Sequence, residues 1–167
     1  MSPFFTFLLH LSVLAYALVG GVFLAFSDFI MRSLALTTGT GGAEAMQAIN
    51  REVFRWVFMT LFLGMAAISA ILVGYSVTRL TAPGNLLILL AGLVYLLGSF
   101  GVTVVFNVPM NTALADMDPS QAATQDYWVG TYLPRWTFWN SVRTLACTLA
   151  AALLLAGLYR TLQPPPT

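Results

Sequence analysis

The chain has 167 residues, of which 59% are hydrophobic and only 8% charged. A water-soluble domain carries roughly 25% charged residues. A core of this length cannot hide so much apolar surface, whereas a lipid bilayer can cover it. The net charge is +1 with no run of basic residues, which argues against a nucleic-acid partner, since nothing is present to release counterions from a phosphate backbone.

Four long apolar stretches follow one another. The first covers about 4–26 and meets no charge until Asp28. It lacks a basic n-region, is too long for a signal peptide and is followed by no A-x-A site, so it reads as a retained helix. After a Gly/Thr segment at 37–42, helix is expected to resume at Ala43 and run unbroken into the second span, 56–78. Pro83-Gly84 marks a short turn before the third span, 86–106. Asp118-Pro119-Ser120-Gln121 then has the form of an N-cap with proline at the first helical position. It predicts a short amphipathic helix over about 119–131, stopped near Pro134. The fourth span covers 136–159, and the Pro-rich tail, 163–167, reads as disordered.

Each span reaches the ~20 residues needed to cross ~30 Å of hydrocarbon, where only helices satisfy the backbone. The expected fold is all-α: an integral membrane four-helix bundle forming one domain, 1–162, with the two longer connections on one membrane face. Small residues at spacing four (Ala17/Gly21, Ala66/Ala70/Gly74, Ala146/Ala150, Ala152/Ala156) permit close helix approach, or a contact with a second copy or a partner membrane protein.

All six acidic residues fall on the side of the long connections, with Arg32, Arg51, Arg55, Arg135 and Arg143. Only Arg79 and Arg160 mark the other side. A plain count favours cytoplasmic long connections. Discounting Arg51, Arg55 and Arg143 as paired inside a site leaves the count even, and the expectation is cytoplasmic termini in a bacterial inner membrane.

Function is therefore sought at the charged face. Asp28 and Arg32 form either a surface i,i+4 pair or a carboxylate held at the membrane edge for acid–base duty. Asn50, Arg51 and Arg55 precede the second span as a solvated helix end or as ligand contacts. Asn107 and Asn111 flank Pro109, which removes a backbone donor where the third span leaves the membrane. Polar groups at that depth are costly without partners. Asn140 and Arg143 sit behind Tyr127, Trp128, Tyr132, Trp136, Phe138 and Trp139, an aromatic group that suits an interfacial belt or a flat ligand.

His10 lies 18 residues before Asp28, about 27 Å along a helix, and reads as structural. Cys147 is alone and reads as a packing residue, and the seven methionines are scattered. No metal site is expected.

Four segments together resemble a known family: Phe26-Ser27-Asp28-Phe29, Met46-Gln47-x-Ile49-Asn50-Arg51, Asn107-Val108-Pro109-Met110-Asn111 and Trp136-Thr137-x-Trp139-Asn140-x-x-Arg143. They are similar to those of the anthrone oxygenase-like group of small bacterial and fungal membrane proteins. The resemblance implies a four-helix membrane fold. For the fungal members it implies oxidation of a polycyclic anthrone to an anthraquinone by O₂ without added metal or flavin.

The expected mechanism takes Asp28 as base, with Arg143, Asn140, Asn107 and Asn111 stabilising an enolate oxygen. Asn50, Arg51, Trp128, Tyr132, Trp136 and Trp139 would bind the substrate. O₂ is then the co-substrate, and no cofactor is needed. The partners are the bilayer and a small lipophilic aromatic molecule. Two alternatives stand beside this reading: an accessory or binding subunit without catalysis, and a redox protein holding haem or quinone.

Overall fold

The computed structural model describes residues 3–55 and 57–163, which form helices joined by short connections, with no strand among them. Trp56, the expected first residue of the second span, and residues 164–167 of the Pro-rich tail lie outside the described residues.

Five helices follow in order: α1 (Pro3–Ala35), α2 (Gly41–Glu52), α3 (Val57–Val77), α4 (Asn85–Ala115) and α5 (Ala122–Leu162). All but α2 are long and apolar enough to cross a membrane, which fits an integral membrane protein. Around the bundle α1 packs on α5, α5 on α4, α4 on α3, and α3 back on α1, and this last seam is the loosest. Leu14, Leu18, Ile71, Leu97, Leu145 and Leu155 point outward and are at least half exposed. A surface of that kind suits a lipid cover.

Three helices outrun their sequence limits. At 33, 31 and 41 residues, α1, α4 and α5 measure about 50, 46 and 62 Å at ~1.5 Å per residue, well beyond the hydrocarbon layer. Pro134, expected to stop a helix, does not. Pro109 lies inside α4 and Pro134 inside α5. A proline ring clashes with the carbonyl four residues back, here that of Val105 and of Gly130. Both residues sit at the centre of a π-helical segment, Thr103–Asn107 and Trp128–Tyr132. The wider turn moves the carbonyl aside and the helix passes through. The expected 119–131 helix is consequently the first part of α5, which starts at Ala122 after an extended Gln121.

Helix also fails to run unbroken from Ala43 into the second span. α2 ends at Glu52, and a turn over 53–55 redirects the chain. The Arg55–Glu52 pair there, 2.8 Å apart, is exposed and contributes little. At the next connection Asp118 accepts hydrogen bonds from the Ser120 backbone N–H and hydroxyl, which hold its carboxyl below the usual range.

Two buried clusters divide the bundle along its length. The larger joins α1, α3, α4 and α5 around Tyr16, Leu72, Ile88, Tyr95 and Leu154. The smaller, with Met31, Met46, Leu114, Trp128, Tyr132 and Trp136, lies at the long-connection end. Glycines permit the close approaches inside the bundle. A Cβ on Gly92 would meet the Ser69 carbonyl at 2.8 Å, and one on Gly98 would meet Ala146 at 2.7 Å. Gly84 has φ 80° beside the Gly157 carbonyl and fixes the α3–α4 turn. Of the small-residue pairs, Ala146/Ala150 faces inward, whereas Ala17/Gly21 and Ala152/Ala156 face outward.

Gly92→Ala is expected to overpack the α3–α4 contact and cost about 1–3 kcal/mol. Gly64→Ala, where an added Cβ meets nothing within 4 Å, should be neutral or stabilise by about 0.5–1 kcal/mol. Unfolding in detergent monitored by circular dichroism compares the two.

Candidate functional site

A cavity of about 280 Å³ lies where the two clusters meet, walled by all five helices. Its surface is nearly all apolar, with Phe23, Phe58, Phe62, Phe100 and Trp136 as the main rings. Asn50, Thr103, Asn111 and Arg143 are its polar side chains. α2 supplies Met46, Ile49 and Asn50. It is tied to the end of α4 by Gln47, whose Nε2 donates to the carbonyls of Leu114 and Met117 at 2.8 and 2.9 Å. Several wall residues also reach the outer surface, among them Val22 and Leu63 of the loose α1–α3 seam and Val104 and Val108 of α4. The cavity is thus open sideways, toward the surface that lipid would cover.

Arg143 is the centre of the site. It is 5% exposed, yet no carboxylate stands within 4.0 Å of it among the described residues. Its Nη2 donates to Asn140 Oδ1 at 2.6 Å and its Nη1 to Thr103 Oγ1 at 3.2 Å, while its buried Nε has no partner. The guanidinium carbon lies 4.2 Å from the Phe23 ring centre and 5.2 Å from that of Trp136, cation–π contacts that partly replace water. Asn140 holds this arrangement in place. Its Nδ2 donates to the Phe23 carbonyl and to Ser27 Oγ, both at 2.6 Å. Just after Phe23, α1 widens into a π segment at Phe26–Ile30, and a side-chain donor inserted at such a turn is satisfied by the helix backbone.

A second polar group lies toward the long-connection end. Asn111 Oδ1 accepts from Tyr132 Oη at 2.7 Å and from Trp136 Nε1 at 2.8 Å. An indole N–H can only donate, so the oxygen of Asn111 faces it and the amide nitrogen remains to donate elsewhere. Asn50 Nδ2 donates to Tyr132 Oη at 3.2 Å. Trp136 connects the two groups, with one face of its ring toward Arg143 and its Nε1 on Asn111.

Of the residues singled out from sequence, Asn50, Asn111, Trp136 and Arg143 line the cavity. Asn140 and Tyr132 stand directly behind them. Asn107 is fully buried against α5, donating to the Trp136 carbonyl at 3.3 Å, and its Oδ1 is unpartnered. Trp128 stacks on Tyr132 at 5.4 Å, away from the cavity wall.

Asp28, Arg51 and Trp139 do not line the cavity. Asp28 is exposed, outside the cavity wall and unpaired with Arg32 among the described residues. Within its π segment the Phe26 side chain joins the wall and that of Asp28 does not. Arg51 is exposed, one position past the Asn50 that faces inward. Trp139 stacks on Phe106 at 3.6 Å, clamping α4 to α5 without lining the cavity.

Sequence reading missed Thr103 and the phenylalanine wall. Thr103 stands four residues before Asn107 and eight before Asn111, a helical spacing that places all three on one side of α4. His10 is exposed, its Nδ1 bonded to the Thr6 carbonyl at 2.8 Å. No group of three His, Cys, Asp or Glu side chains suited to a metal exists among the described residues.

Fold and site define a small four-span protein enclosing an aromatic cavity around a buried arginine. The family model for anthrone oxygenase matches residues 51–153, and the chain belongs to that family. The matched segment contains Thr103, Asn107, Asn111, Trp136, Asn140 and Arg143, while Asn50 and the α1 wall precede it. No curated protein and no solved structure matches the chain.

Asn140→Leu should release Arg143 and leave the Phe23 carbonyl facing leucine. The expected loss is about 1–3 kcal/mol, read as a lower unfolding midpoint in detergent. Ser141→Ala, which removes a more exposed hydrogen bond to Ser27, should change little.

Proposed function

We propose that this protein is a membrane oxygenase that oxidises a flat, lipophilic anthrone- or phenol-like substrate with O₂ and needs no resident cofactor. The observation that carries the reading is Arg143: a buried cation without a carboxylate, facing an aromatic cavity of about 280 Å³. Family membership agrees with it. The volume is near the lower end of the ~300–1,000 Å³ typical of small-molecule sites, which suits two or three fused rings.

An anthrone carries a ketone opposite a doubly benzylic CH₂. Loss of one proton from that carbon gives an enolate whose charge rests mainly on oxygen. A guanidinium fixed beside that oxygen stabilises the anion without reorganisation, as an oxyanion hole does. Since no carboxylate or imidazole lines the wall among the described residues, the proton passes to water at the long-connection end of the cavity, beside Asn50 and Asn111.

The electron-rich carbon then bonds to O₂, giving a peroxide anion on the ring. Protonation of its outer oxygen and loss of the remaining ring hydrogen as a proton expel water and leave a second carbonyl. One anthrone and one O₂ become one anthraquinone and one H₂O, with O₂ as the oxidant. Asn140 acts here as a positioning residue that holds the guanidinium, and Asn107 as part of the α4–α5 framework behind Trp136. Phe23, Trp136 and the other rings hold the substrate by stacking.

Purified protein given anthrone should form anthraquinone and consume O₂ faster than buffer with detergent alone. Arg143→Met should lower that rate about 10²–10³-fold, while Asp28→Asn should leave it near wild type. A wild-type rate equal to buffer would end the oxygenase assignment, and a large loss in Asp28→Asn would restore the carboxylate as base.

A further inference from the structure

We propose that the cavity binds its ligand as an aromatic oxyanion, a phenolate or enolate whose charged oxygen is the partner that Arg143 lacks, and that hydroxylated quinone product is retained by the same contact. The proposal rests on the cavity being the substrate site, but it concerns the bound state of the ligand before any reaction with O₂.

A guanidinium stays protonated at neutral pH, and a charge taken out of water without a counter-ion is costly. Two neutral oxygens, on Asn140 and Thr103, and two aromatic faces compensate Arg143 in part. The Nε–H is left with nothing. Groups capable of titrating near it are Cys147 and Tyr132 of its own helix. From α1 it meets Phe23, from α4 Thr103, and across the cavity α2 and α3 present Asn50, Phe58 and Phe62. None of these is an anion at neutral pH, so the compensating charge has to arrive with the ligand.

The aromatic wall offers a hydrated inorganic anion few partners. A flat ring system carrying the charge on an acidic hydroxyl or enol meets both demands. Placing such a group against a buried cation favours its ionised form. A weakly acidic phenol therefore ionises at lower pH in the cavity than in water or a micelle. The free amide nitrogen of Asn111 gives a second donor for an oxygen at the other end of the ring system.

The test uses the full chain in detergent and 2-hydroxyanthraquinone, a dye whose colour changes on ionisation. Its titration is followed in protein and in protein-free micelles of the same detergent. The bound dye should ionise at least about one pH unit lower, equivalent to roughly tenfold tighter binding of the anion than of the neutral form. Arg143→Met should abolish the displacement, and Arg143→Lys should keep part of it.

Should the methionine variant not fold, thermal unfolding of the wild type still decides. The hydroxylated dye should raise the unfolding midpoint, and 9,10-anthraquinone, which has no acidic hydrogen, should not. Equal stabilisation by both, an unshifted titration, or displacement of the dye by equimolar oleate would each overturn the proposal. A shifted titration with no oxidation of anthrone would leave the anion site standing and remove the oxygenase function. Oxidation with the dye bound only as the neutral form would do the reverse.

Discussion

Everything in the upper half of the bundle is arranged around one buried guanidinium. A charged side chain in a dry interior is tolerated when its neighbours are fixed and oriented to receive it. Asn140 performs that task by spanning two helices, accepting from Arg143 and donating to the Phe23 carbonyl and Ser27 of α1. The rings of Phe23 and Trp136 take two further sides. Trp136 is in turn fixed by Asn111, and Asn111 by Tyr132. Each polar group is placed by the next, so the cavity is a framed space and not a packing defect. The exceptions, Arg143 Nε and Asn107 Oδ1, are unpartnered, and only Arg143 faces the cavity.

Irregular helix turns make this convergence possible. In α1, α4 and α5 a π segment occurs in or next to the cavity wall: Phe26–Ile30, Leu96–Gly101 with Thr103–Asn107, and Trp128–Tyr132. A π turn adds a residue to the circuit and rotates the remainder of the helix about its axis. The two prolines obey the same geometry, since each ring needs the carbonyl four residues earlier to be displaced.

The four spans were legible because bilayer thickness imposes length and hydropathy on the chain, and those survive in composition alone. Helix limits were not. Pro134 looks like a stop unless the widened turn before it is known. The site was legible as residue types: amides and one arginine in apolar surroundings have few bland explanations, and Asn50, Asn111, Asn140, Trp136 and Arg143 do converge. Direction was the illegible part. Asp28 and Arg51 are each within two positions of a wall residue, Phe26 and Asn50, yet they face outward. On a helix one position is about 100° of rotation, so proximity in sequence near a π turn does not fix which side a side chain takes.

The position of the cavity along the bundle is set by the contacts that close it at each end. Below, glycine-mediated contacts and the Tyr16–Ser69 and Tyr95–Phe62 hydrogen bonds draw the four spans together. Above, α2 crosses the bundle on its Gln47 tie to α4 and supplies a roof. Between the two, α1 and α3 touch least, and exposed Val22 and Leu63 form part of the wall. A roofed cavity that opens sideways into hydrocarbon admits what already dissolves there. Polycyclic aromatics and O₂ both do. Hydrated ions entering from that side meet an apolar barrier, and the one charged side chain in the wall among the described residues is a fixed cation. That combination is what the proposed ligand, a flat molecule able to form a stable oxyanion, would require.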